Sequence, residues 1–206
     1  MTLNFPPQPT HEHEIEMLLE ILASVIDGRT AVYLSAPITS GKRLSDWQAQ
    51  RNENLDTSHL AYRDEHRREV IEPNRAHAQS LAQELRRVWP KVLIDPTAVT
   101  DLPGWTQDDY RHLWARVIER YVDTIVFTDG WQYSNGCGYE FLTAQRSGAR
   151  TLAEDQRPLT PEEGEQLIRA AISELRAQAF SSLFLEQVVE ELAKLGNKSS
   201  KGLPAG

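Results

Sequence analysis

Apolar residues recur at helical spacing between Glu12 and Asp27, at Ile15, Leu18, Leu19, Leu22, Val25 and Ile26, and Gly28 ends the pattern. A short β-rich run, AVYLSAPI at 31–38, follows and reads as a first buried strand. Residues 39–72 are rich in charge with only scattered apolar positions, which predicts an exposed helix inside a connection long for its kind. Asn74 to Arg87 reads as a helix with Ala78, Leu81 and Leu85 on its apolar face, and KVLIDP at 91–96 as a second strand. A loop spans 97–106. The stretch TQDDYRHLWARVIERY then places Tyr110, Leu113, Trp114, Val117 and Ile118 on or near one helical face.

DTIVFTDG at 123–130 predicts a third strand, about Glu140 to Ser147 a helix, and GARTLAED at 148–155 a fourth strand. Thr160-Pro161-Glu162-Glu163 has the form of a capped helix start, with Thr as N-cap, Pro at the first helical position and Glu three residues after the cap. That helix runs to about Gln178, and another spans Leu183 to Leu195. Alternating strands and helices predict an α/β fold, a three-layer Rossmann-like (flavodoxin-like) parallel sheet of about four to five strands. Helices cover both faces, and terminal helices are added at each end. One domain is expected over 12–195, with a charged insertion at 42–72 and poorly ordered ends at 1–11 and 196–206. Such sheets bind ligands outside the carboxyl ends of their strands, which singles out PITSGKR after the first strand and TDGWQYSNGCGYE after the third.

Composition narrows the class without naming a chemistry. A chain of 206 residues with net charge −8 is poorly suited to the polyphosphate backbone of nucleic acids, although a small phosphorylated ligand needs only local donors. The single cysteine forms no internal disulfide, in keeping with a reducing cytoplasm. No apolar run approaches the roughly 18 residues of a membrane span. The start MTLNFPPQPTHEHEIE lacks the basic and apolar regions of a signal peptide.

The candidate chemistry centres on YSNGCGYE at 133–140. Gly136 and Gly138 are read as a turn between strand and helix that lets backbone N–H groups approach an anion, with Ser134 adding a hydroxyl. A plain tight turn fits the same residues. The spacing matches neither a P-loop nor a dinucleotide fingerprint. Glu140 at that junction is placed to act as a nucleophile on a sugar carbon, as in retaining glycosidases, or simply to favour a helix dipole. SAPITSGKR offers the Ser35, Thr39 and Ser40 hydroxyls, the Gly41 backbone and the Lys42 and Arg43 charges as an anion site. Trp131 is a candidate for stacking on a base, with core packing as the alternative. HEHEIE, with histidines two apart, is not read as a metal site, and neither metal nor cofactor is expected.

VYLSAPITSGKR and DTIVFTDGWQYSNGCGYEFLTAQRSG together resemble the nucleoside 2-deoxyribosyltransferase-like proteins, with the match over about 31–37 and 123–150. The resemblance implies that Glu140 is the nucleophile, that Tyr33 is an active-site tyrosine and that Ile38, Thr39, Ser40, Gly41, Lys42 and Arg43 form a phosphate loop. Ser134, where transferases of free nucleosides carry an aspartate, resembles the 2′-deoxynucleoside 5′-phosphate N-hydrolase branch. A hydroxyl donates to a phosphate that an aspartate would repel. The implied activity is cleavage of the base–sugar bond of a nucleoside 5′-monophosphate through a covalent glycosyl-Glu140 intermediate. The implied assembly is a homodimer or larger homo-oligomer.

The family's second acid is missing at the matching place, where Ala115 and Arg116 stand. Asp108, Asp109 and His112 are the nearby candidates to protonate the leaving base. Alternatives within reach are a deoxyribosyltransferase, cleavage of a larger nucleotide such as NAD with 42–72 supplying contacts, and a non-catalytic nucleotide sensor.

Overall fold

The computed structural model describes residues 5–6, 8–28, 30–51, 60–99 and 102–200, the side chains of 197–200 excepted. Strands β1 (Ala31–Ser35), β2 (Val92–Ile94), β3 (Val122–Phe127) and β4 (Arg150–Leu152) form one parallel sheet in the order β2-β1-β3-β4. The fold is therefore the expected three-layer, Rossmann-like α/β architecture. Each strand is shorter than the segment the sequence assigns to it; β1 stops ahead of Pro37, which has no N–H to give to a ladder.

The helices are α1 (Glu12–Ile26), α2 (Lys42–Ala49), α3 (Leu60–His66), α4 (Glu72–Val88), α5 (Gln107–Tyr121), α6 (Asn135–Ser147), α7 (Pro161–Ala177) and α8 (Leu183–Ser200). A π-helical turn, Arg67–Ile71, joins α3 to α4 without a break. The Thr160 hydroxyl caps α7 by accepting the Glu163 N–H at 3.1 Å, as the sequence predicts.

Side chains of β1 alternate between two cores. Ala31 and Tyr33 face α1, α5, α6 and α8, through residues such as Ile15, Leu113, Phe141 and Val188. Val32 and Leu34 face α4, through Ala78, Leu81 and Leu85. Covering both faces explains why every residue of β1 is buried and why its run is apolar throughout. The order places a topological switch point between β1 and β3. There the chain leaves one strand toward α4 and the other toward α6, opening a crevice at their carboxyl ends.

Two expectations about the ends change. The described part of 1–11 is fastened to the domain: Phe5 packs its ring 5.7 Å from Tyr139 and 4.9 Å from Phe184, and the N–H groups of Thr10 and His11 donate to Asp109. Helix α8 continues past Leu195 to Ser200. The expected disorder of 1–4, 7 and 201–206 falls outside the described residues, as does part of the charged insertion, 52–59.

The remainder of that insertion folds as α2, α3 and the π turn, and α4 grips the loop after β1. Asn74 Nδ2 donates to the Ile38 and Ser40 carbonyls at 3.1 Å each, and His66 Nε2 lies 3.0 Å from the Thr39 carbonyl. Two loop glycines are needed where the loops after β1 and β3 meet. Gly41 and Gly130 have φ of +86° and +78°, and the Lys42 N–H donates to the Gly130 carbonyl at 3.3 Å. Among the described residues no helix is long and apolar enough to cross a membrane.

Candidate active site

The stretch expected to be a glycine turn is itself helical. Helix α6 begins at Asn135, and Ser134 is its N-cap, its hydroxyl accepting the Cys137 N–H at 3.4 Å. Gly136 and Gly138 thus lie in the first turns of α6, and Glu140 sits in the second turn rather than at the start. Neither glycine has a positive φ. Gly138 is small because a Cβ there would meet Leu185 Cδ2 at 2.8 Å, so it serves the packing of α6 on α8 and does not line the cavity. Gly136 does line it, and a Cβ there would find only Ser134 Oγ, at 3.8 Å. Gly138→Ala is expected to cost about 1–3 kcal/mol in a urea melt, and Gly136→Ala to leave stability within about 0.5 kcal/mol or raise it.

Starting α6 early aims Glu140 back over the end of β1. Tyr33 Oη donates to Glu140 Oε1 and Ser35 Oγ donates to Oε2, both at 2.6 Å. Tyr33 and Ser35 reach the same carboxylate because residues two apart on a strand share a face. Both are fully buried beneath Glu140, and neither lines the cavity. Tyr33, expected in the active site, thus meets the Glu140 carboxylate and not the cavity surface.

Burial pushes the Glu140 carboxyl up to about 7, against the pull of the Ser35 and Tyr33 hydrogen bonds. Burial, then the neighbouring Glu140 charge, drives the Tyr33 hydroxyl well above its ordinary value and the Cys137 thiol to about 12. Tyr33 is thus a fixed donor, and Cys137 is an inert small residue.

Above Glu140 lies a cavity of about 800 Å³ at the β1/β3 switch point. Its walls are the loop 36–41, the first turns of α6, one face of α5 and the start of α4 with the preceding π turn. Ile38, Thr39, Ser40 and Gly41 line it. Ser134 Oγ accepts the Ser40 hydroxyl at 3.0 Å in addition to the Cys137 N–H, leaving its own proton to offer to an anion.

Several expected site residues lie elsewhere. Lys42 bonds Asp46 at 2.5 Å, and Arg43 Nε bonds Asn74 Oδ1 at 3.1 Å; both turn into a separate, shallower hollow. Trp131 is core, with ring centroids 4.7 Å from Phe127 and 4.9 Å from Phe141. Asp108, Asp109 and His112 are absent from the cavity lining. Asp108 pairs with Arg111.

Asp109 closes the capping box of α5. Its carboxylate accepts the Thr106 hydroxyl at 2.6 Å and N–H at 2.8 Å, and the Thr10 and His11 N–H groups at 2.5 and 2.9 Å. Burial alone would raise its pKa, but these donors hold it well below the usual carboxylate range, so it supplies no proton at neutral pH. Asp109→Ala is expected to lower stability by about 2 kcal/mol while kcat stays within about twofold, read by urea melts and turnover. The place of the missing acid is filled by packing: Ala115 is core, and Arg116 bonds Glu12 and Glu16 of α1.

Sequence reasoning missed the α5 wall, Gln107, Tyr110, Arg111 and Trp114, although spacing of three and four marks one helical face. It also missed two arginines of the opposite wall, Arg67 of the π turn and Arg75 of α4. Among the described residues no three His, Cys, Asp or Glu side chains gather as a metal site. No family model, curated protein or solved structure matches the chain.

Proposed function

We propose that the protein is a nucleotide N-glycosidase in which Glu140 attacks the anomeric carbon of a nucleoside 5′-phosphate. The observation that carries this reading is the Glu140 carboxylate, with each oxygen held by one buried hydroxyl, at the floor of the switch-point cavity. Such clamping fixes a nucleophile's direction, and each oxygen keeps a lone pair for attack. The Ser134 and Ser40 hydroxyls and the start of α6 supply donors for the 5′-phosphate. Water then cleaves the glycosyl ester, returning the carboxylate and releasing the sugar phosphate.

The direct test incubates the protein with deoxy- and ribonucleoside monophosphates and follows free base by chromatography. Base release lost in Glu140→Ala supports the reading. Release only when an acceptor base is added favours the transferase instead. Tight binding without any release favours a nucleotide sensor, to which the α5 wall's lack of a carboxylate lends support.

A Ser134→Asp variant tests the phosphate contact. Affinity for a monophosphate is expected to fall by about tenfold or more, and an unchanged affinity removes the phosphate assignment. We include in the proposal a cytoplasmic homo-oligomer. Met17, Ile21 and Val25, 50–57 % exposed at four-residue spacing on α1, give it an apolar face, and sedimentation velocity reads the assembly state.

A further inference from the structure

We infer that the substrate is a pyridinium nucleotide carrying a pyrophosphate, the class of the nicotinamide dinucleotides, because the described residues of the cavity pair a carboxylate nucleophile with arginines that have no ion-pair partner among them and place no second carboxylate on the α5 wall. This inference rests on the glycosidase reading of Glu140.

Cleaving a neutral base from a sugar requires a proton on the departing nitrogen or its conjugated oxygen, so such sites carry an acid beside the nucleophile. Among the described residues, Glu140 and Glu72 are the carboxylates that line the cavity. Glu140 is committed as the nucleophile. Glu72 is exposed on α4, the helix that covers the opposite face of the sheet from α6. The α5 wall presents Gln107, Tyr110, Arg111 and Trp114, none of them a carboxylic acid.

A pyridinium nitrogen needs no acid. As Glu140 Oε bonds to C1′, the C1′–N bond breaks and its electron pair returns to the ring nitrogen, so the ring departs neutral. Water then attacks C1′, the C1′–Oε bond breaks to regenerate the carboxylate, and the water's proton passes to solvent. The rings of Tyr110 and Trp114 also hold a cationic ring better than a neutral one.

The other end of the ligand is read from α4. In a chain with 30 acidic and 22 basic residues, Arg67 and Arg75 line the cavity without an ion pair to any described residue. The Nε of Arg75 is buried and meets no acceptor among the described residues. Arg75 follows Asn74, which holds the Ser40 carbonyl, and Ser40 in turn holds Ser134. The guanidinium wall thus adjoins the hydroxyls assigned to the first phosphate, where a second phosphate of the same ligand would lie.

The test follows base release from NAD, nicotinamide mononucleotide, AMP, dAMP and dCMP, with wild type, Glu140→Gln and the double variant Arg67→Gln/Arg75→Gln. NAD is expected to be the best substrate, in a Glu140-dependent reaction, by about tenfold or more in kcat/KM over the neutral-base monophosphates. The double variant is expected to raise KM for NAD about tenfold with kcat within about threefold, and to change the mononucleotide little. Inorganic pyrophosphate is expected to compete with NAD in wild type, which reads the same site should the double variant fail to fold. Glu140-dependent release from monophosphates with NAD untouched sinks this inference and leaves the glycosidase standing. No release from any substrate sinks both. NAD cleavage indifferent to pyrophosphate and to the arginines refutes the pyrophosphate site.

Discussion

On the proposed function, Glu140→Gln is expected to abolish base release, by about 10³-fold or more, and at the same time to stabilise the protein above pH 7. Both effects come from one carboxylate. The amide is a poor nucleophile at the anomeric carbon, and the neighbouring Cys137 is held as a thiol by burial. The stability effect follows from the raised Glu140 pKa of about 7, against an ordinary 4.5. The folded protein favours the protonated acid, so this group's contribution is fully present below about pH 4.5 and is lost as pH rises through about 7.

Glutamine stays neutral throughout and escapes that loss. Wild type and variant should therefore melt together near pH 5, and the variant's advantage should grow to a plateau above pH 8. With Glu140 partly exposed, about 1–3 kcal/mol is the expected ceiling, or a Tm shift of several degrees. A variant that loses activity and is destabilised at every pH points instead to a structural role for the carboxylate. For wild type, kcat/KM should rise with pH along an acid limb centred near 7, because the ionised form attacks.

Tyr33→Phe moves that acid limb upward by about one unit and lowers kcat by about 10- to 100-fold. The hydroxyl donates to Oε1 at 2.6 Å and is one of two bonds that stabilise the anion against burial. Removing it leaves Ser35 alone to hold the carboxylate, so more alkali is needed to ionise it and its direction is less fixed. Activity in the variant should recover in part at high pH, where Glu140 ionises again. A tyrosine that merely fills the core would lower the rate equally at all pH and leave the limb in place. The pH profile of kcat/KM distinguishes the two.

The sheet and its helices could be read from the chain because their signals are local. Ile15 to Ile26 repeat at helical spacing, and Thr160 with Glu163 forms the cap its spacing predicts. Glu140 and Ser134 were also legible, and they stand at the switch point together with the loop Ile38 to Gly41. Reading α6 from Glu140 rather than Asn135 was an error of glycine logic. Gly138 is present for the approach of Leu185, a contact between residues distant in sequence that no local rule reports. Lys42 and Arg43 are expected as phosphate ligands from their charge and from the resemblance, but partners at Asp46 and Asn74 turn them away. Arg67, in the charged stretch, and Arg75, at the start of the helix that follows it, acquire a direction only once the π turn and α4 are docked on the loop after β1. Ser35, offered by the sequence as an anion donor, gives its hydroxyl instead to Glu140, 105 residues away, from the strand face it shares with Tyr33.

The proposed mechanism requires Glu140 to become covalently bonded to the sugar. A nucleotide carrying fluorine at C2′ slows hydrolysis of the glycosyl ester more than its formation, so the intermediate accumulates. Incubation with such an analogue, acid quench and peptide mass mapping should find one sugar-phosphate adduct, on the peptide bearing Glu140, with release of one equivalent of base. Base release with no adduct, or an adduct that persists in Glu140→Gln, contradicts the account.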